Sequence, residues 1–127
     1  GELIPAARID LIRVPGAFEI PVAVAKSMQR DDLNCIIALG LIIRGDTHHA
    51  DLVASSVTQS LQNLAVQRCL PVIHEVLLVE DEKQAHARCI AASMNRGREA
   101  ARAAAGMIDV FSEIEKSTPK PYTNKFK

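Results

Sequence analysis

Along the chain, stretches of strand-like and helix-like apolar spacing take turns. Residues 35–43 form a near-continuous apolar run, as expected of a parallel strand covered on both faces. Residues 72–79 (Val-Ile-His-Glu-Val-Leu-Leu-Val) predict a further strand. Residues 7–14 alternate polar and apolar at period two instead, which predicts an edge strand with one face more exposed. Between these runs the apolar spacing is helical. It predicts a helix over residues 18–30, in which Pro21 is tolerated because it lies in the first turn. The longest helix is predicted over residues 47–69, with Leu52, Val53, Val57, Leu61, Leu64 and Ala65 on one stripe, and Pro71 closes it. Glu80, Asp81 and Glu82 open a further helix at the end where the dipole favours acidic residues. It runs to about residue 93, breaks near residues 95–97, and resumes as an alanine-rich helix ending near residue 115.

The resulting order is strand, helix, strand, helix, strand, helix, helix, with no internal repeat. It predicts parallel strands joined by right-handed crossovers, an α/β three-layer sandwich. A single domain is expected over residues 1–115. Residues 116–127 carry four lysines and two prolines without apolar periodicity, and are expected to form an extended or disordered tail.

Composition narrows the functional classes. The 127 residues are 48% hydrophobic, enough for a real core, yet no apolar run is long enough to span a bilayer, so a soluble protein without a membrane partner is expected. Fifteen basic and fifteen acidic residues cancel to a formal charge of zero, and only 3% of residues are aromatic. Both facts argue against nucleic acid as a partner. Cys35, Cys69 and Cys89 have no CxxC spacing, so neither a disulfide framework nor a zinc site is indicated, and a reducing cytoplasm fits. The chain begins at Gly1 rather than Met, so an upstream segment removed or left out is one expectation.

Candidate chemistry gathers where the run 35–43 feeds the next helix. A strand C-terminus meeting a helix N-terminus is the ligand-binding place of open α/β sheets, and its free N–H groups and dipole suit an anion. Gly45, Asp46 and Thr47 supply a turn and two candidate N-caps. His49, in the first helical turn, is the sharper candidate for a proton shuttle, because the positive end of the dipole favours the neutral imidazole. His48 points about 100° away; the competing view is that both histidines are solvated. Arg88 and Arg96 are placed to reach one phosphate, or are solvated helix residues. Glu99 would orient either arginine, or form a plain helix-surface pair. Ala17, Phe18 and Glu19 put an aromatic ring and a carboxylate at another strand end, suited to a flat heterocycle; Phe18 as core and Glu19 as a helix-start charge is the alternative. His74 in the run 72–79 is by default a buried histidine satisfied by a neighbour.

Three segments together resemble the lumazine synthase family of riboflavin biosynthesis: Val14 to Pro21, Ala38 to His49, and Arg88 with Asn95 to Ala100. The resemblance runs from Ile9 to Phe111 without insertions. It implies a flavodoxin-like parallel sheet, and condensation of 5-amino-6-(D-ribitylamino)uracil with 3,4-dihydroxy-2-butanone 4-phosphate, with no metal or organic cofactor. It also implies site roles. His49 would move protons, and Gly45, Asp46 and Thr47 would hold the phosphate with Arg88 and with Arg96, which stands where lysine is usual. Phe18, beside Ala17, would stack on the pyrimidine, Glu19 would bind the ribityl chain, and backbone at Leu41, Ile42 and Ile43 would hold the ring edge. Members of the family are pentamers, in some cases built into sixty-subunit shells, with sites shared between subunits and riboflavin synthase as a partner. Arg88, Arg96 and His74 would then serve a neighbour's site.

This chain departs from the pattern at three places: His74 stands for a phenylalanine, Ala92 for a lysine, and glycines usual around residues 89–94 are missing. Family members also carry a strand and a helix ahead of the residues that match 7–14, and that strand lies inside the sheet. Either such a segment precedes Gly1 or the sheet is rebuilt. A non-catalytic shell or flavin-binding scaffold is the alternative function, and a generic phosphate-binding module a weaker third.

Overall fold

The structure, a computed structural model, describes residues 5–90 and 95–117. Two strands, β1 (Ile36–Ile43) and β2 (Val72–Val79), pair in parallel with Ile36 opposite Val72 and Ile43 opposite Val79. The helix α2 (His49–Arg68) makes the crossover between them. A short 3₁₀ turn, Ala17–Glu19, leads into α1 (Ile20–Ser27), and α3 (Glu82–Cys89) and α4 (Arg96–Ser117) follow β2. The parallel sheet with helices on both faces is the α/β architecture expected. The predicted end of the α3 helix near residue 93, and most of the predicted tail, fall on residues 91–94 and 118–127, outside the described residues. Of the predicted break at 95–97 only Asn95 is non-helical, because α4 already begins at Arg96.

Side-chain alternation divides the sheet. Even-numbered residues Ala38 and Ile42 of β1 and Val76 of β2 meet Ile20, Val24 and Met28 at α1 and Val57 and Leu61 of α2 in one buried cluster. Gly40 belongs to this face because a Cβ there would lie 3.1 Å from Ile20 Cδ1 and 3.4 Å from Val76 Cγ1. Its lack of a side chain lets the start of α1 settle on the strand. On the other face, Val79 is 1% exposed, and Ala85 of α3 and Ala100 and Ala104 of α4 are buried. Alanines there let α4 approach closely. Coverage is incomplete over β1, where Ile37, Leu39, Leu41 and Ile43 remain exposed.

Helix ends follow local chemistry. Asp81 caps α3, its carboxylate accepting the Gln84 N–H at 2.8 Å, while Gln84 Oε1 accepts the Glu80 N–H at 2.7 Å. Asn95 accepts the Arg98 N–H at 3.0 Å and so starts α4. At the end of α2, Cys69 takes the left-handed conformation (φ 50°), and the Leu70 N–H reaches back to Ala65 O at 3.2 Å.

The third predicted strand, residues 7–14, is not formed. Residues 6–8 make a 3₁₀ turn and residues 9–14 pair with nothing in a sheet among the described residues. Period-two alternation reports a strand only where a neighbour takes up the backbone groups. Here Ile9, Leu11 and Ile12 stay exposed, and only Val14 packs against the core. Arg30 tethers the segment instead, bonding Asp10 at 2.8 Å and Asp32 at 2.7 Å. The guanidinium in turn holds the Asp32 carboxyl below the usual range.

His74 is half-buried, satisfied as the sequence predicts, and its partners fix its chemistry. Ile36 N–H bonds to Pro71 O and Arg44 N–H to Val79 O, so odd-numbered residues of this strand face β1 and even-numbered backbone groups face away. The outward Val76 N–H donates to His74 Nδ1 at 3.0 Å, which requires a neutral ring, and Nε2–H donates to Thr58 Oγ1 of α2 at 2.7 Å. Burial also pushes the His74 pKa below its ordinary 6.5, against a smaller opposing pull from Glu75. The His74 contribution to stability is therefore complete above about pH 6.5 and is lost as pH falls through the lowered folded-state value. Urea unfolding at pH 7.5 and pH 5 is expected to show the wild type losing about 1 kcal/mol more than His74→Gln, the worth of one hydrogen bond. Equal losses would remove the ring from this role.

Candidate active site

Three local structures converge at the C-terminal end of β1. The 3₁₀ turn Ala17–Glu19 brings one wall, the strand end itself the floor, and the turn into α2 the opposite wall. They enclose an open cleft of about 440 Å³. Phe18 and Glu19 line it from the first wall, with Ala17 and Gly16 beside them. Phe18 is 62% exposed, so the ring is not a core residue and its face is available. Leu41, Ile42 and Ile43 form the floor. By the ladder's alternation, the backbone groups of Leu41 and Ile43 point away from β2 and are free to meet a ligand.

Gly45, Thr47 and His49 line the opposite wall. A Cβ at Gly45 would meet nothing within 4 Å, and no glycine among the described residues needs a positive φ. Glycine therefore leaves open space here rather than relieving backbone strain. The helix begins one or two residues later than the predicted N-caps: His48 is the N-cap and makes no side-chain cap bond, while Thr47 Oγ1 accepts the His49 N–H at 3.3 Å. Apart from that one Thr47 bond, the N-cap side chain leaves the first-turn N–H groups of α2 uncapped at the cleft, the arrangement that favours an anion.

The two histidines separate. His49 faces the cleft, whereas the His48 side chain is 99% exposed with Asp51 at 3.8 Å. Asp46 sits in the turn without lining the cleft. Arg88, Arg96 and His74 are also not brought to it within one chain. Arg88 is half-buried on α3, and Arg96 pairs with Glu99 at 2.8 Å on the α4 surface, the plain helix-surface pair. Three lining residues are missed by the sequence reading, Gly16, Ala50 and Val53. Val53 lies four positions after His49, one helical turn on, and that spacing was the available signal. Among the described residues no three of His, Cys, Asp and Glu gather as a metal-binding set.

Comparison of the sequence with known proteins identifies the family. The sequence profile of the family described as 6,7-dimethyl-8-ribityllumazine synthase matches residues 2–112. The chain belongs to that family. It is 40% identical over 114 residues to the 6,7-dimethyl-8-ribityllumazine synthase of Methylobacterium radiotolerans, covering 90% of this chain and 70% of the relative. The Agrobacterium fabrum protein of the same name is 40% identical over 113 residues, covering 85% of this chain and 76% of that one. The Aquifex aeolicus protein is 38% identical over 106 residues, covering 84% and 69%. Within the lumazine synthase family match fall all three walls of the cleft, from Gly16 to Val53.

Proposed function

We propose that this chain condenses 5-amino-6-(D-ribitylamino)uracil with 3,4-dihydroxy-2-butanone 4-phosphate to give 6,7-dimethyl-8-ribityllumazine, releasing phosphate and water. The reading is carried by one observation: in a member of the lumazine synthase family, a single cleft places an exposed aromatic ring and a carboxylate opposite an uncapped helix start that bears a histidine. Phe18 stacks on the pyrimidine and Glu19 binds the ribityl hydroxyls, with Ala17 beside them. Backbone groups of Leu41, Ile42 and Ile43 hold the ring edge. The N–H groups of Gly45 and Asp46 and the Thr47 hydroxyl take the phosphate of the second substrate. Holding an amine against a ketone supplies most of the rate, and His49 moves protons as the imine forms, phosphate leaves and the ring closes.

Arg88 and Arg96 complete the phosphate grip across a subunit contact, where His74, its ring nitrogens held by Val76 and Thr58, offers a neighbour's site only its ring face. The assembly is a homo-oligomer, a pentamer or a shell of pentamers, working in the cytoplasm beside riboflavin synthase. No helix among the described residues is long and apolar enough to cross a membrane. A non-catalytic shell or flavin-binding scaffold is the second reading, favoured because no arginine lines the cleft of the single chain among the described residues. Mixing the assembled protein with both substrates decides between them. Appearance of the lumazine's absorbance and fluorescence above the uncatalysed rate is the expected result, and the uncatalysed rate alone leaves the scaffold.

A further inference from the structure

Arg44 stands just after β1, where its backbone N–H continues the ladder by bonding Val79 O at 2.8 Å. Its root is therefore fixed. Its side chain turns back over the loop: Nη2 lies 2.9 Å from Asp51 Oδ1 in α2, and Nε lies 3.4 Å from Glu80 Oε1 just beyond β2. The Arg44–Asp51 pair thus spans residues 45–50, which include the cleft residues Gly45, Thr47 and His49.

That arch has little else to hold it. Residues 45–49 are all exposed, and burial resumes only at Ala50, which joins the core. Nothing lies within 4 Å of a Cβ built at Gly45. Inside the arch the Thr47–His49 contact is a single 3.3 Å bond. Within one chain, packing does not set the positions of Thr47 and His49, so a brace from outside the arch matters more here than it would in a packed helix start.

We propose that Arg44 is a positioning residue that braces the Gly45–His49 arch through Asp51, with Glu80 as a weaker second anchor. It rests on the functional reading above for its catalytic consequence. Arg44 does not act as a phosphate ligand: its guanidinium is already shared between two carboxylates, and its 40% exposure is that of a surface pair. Such a pair adds little to global stability. Its effect is on geometry, where a displacement of about 1 Å costs on the order of 10²-fold in rate.

The two roles separate in Asp51. If Arg44 bound phosphate directly, Asp51→Asn would free the guanidinium and leave activity intact or improved. As a brace, Arg44→Met and Asp51→Asn each lower kcat/KM for the butanone phosphate by roughly 10-fold or more. The double variant is no worse than either single one. KM for the pyrimidine substrate stays put, thermal midpoints barely move, and Arg44→Lys recovers part of the loss. Amide hydrogen exchange across residues 45–49 in the assembled full chain gives a readout that needs no turnover, and it is expected to speed up in Arg44→Met and Asp51→Asn. Unchanged exchange in Arg44→Met overturns the brace, and so does full activity in Asp51→Asn beside an impaired Arg44→Met. Should the wild type form no product, the functional reading fails while exchange still decides the brace.

Discussion

A His49→Ala protein is expected to form the lumazine about 10²-fold more slowly than the parent, the lower end of what a positioned acid–base group contributes. The low end applies because bringing two substrates together carries much of the acceleration and survives the change. The loss should fall on kcat, with KM for the phosphate substrate little altered, since the proposed phosphate grip lies in the turn and not on the imidazole. His48→Ala provides the control. Its side chain is 99% exposed and does not line the cleft, so its rate should match the wild type. Steady-state rates for the two variants check the assignment; an unimpaired His49→Ala removes the shuttle from this residue.

Leu61→Ala is expected to be the most damaging core change, costing about 2–5 kcal/mol. Leu61 is 1% exposed on α2, in the same cluster as Ile20 and Val24 at α1, Ala38 and Ile42 of β1 and Val76 of β2. A two-stranded sheet has few other places to bury a large side chain, so the cavity is not easily refilled. Domains of this size are stable by only about 5–15 kcal/mol, so the loss is a large share of the total. Denaturant midpoints measure it, and a cost below about 1 kcal/mol would mean that Leu61 does not bear the packing assigned to it. Because α2 carries Thr47 and His49 at its start, a loosened core should also blunt activity before unfolding is complete.

What could be read in the chain beforehand depended on whether the signal was local. β2 matches its predicted span residue for residue and β1 falls one residue short, because β-branched and apolar residues dominate both segments, although the second face of β1 is left partly uncovered. The cleft was legible where its residues sit in short contiguous stretches, at Ala17–Glu19, at 41–43 and at the Gly45–His49 turn. Residues 7–14 were misread because alternation is a local property while strand pairing is not. Arg44 carried no signal of its own. An arginine between an apolar run and a glycine looks solvated until folding sets Asp51 and Glu80 on either side of it. The His74 tautomer was equally invisible, since it depends on which way Val76's amide points.

The ring on that amide gives the sheet a handedness of exposure. A chain arriving in extended form at the flank of β2 must first evict an imidazole that already occupies one of the outward donors. At the flank of β1 the outward amides and carbonyls of Ile37, Leu39, Leu41 and Ile43 have no such guard among the described residues, and their side chains are apolar and exposed. Order can therefore spread outward from this sheet in one direction far more readily than in the other.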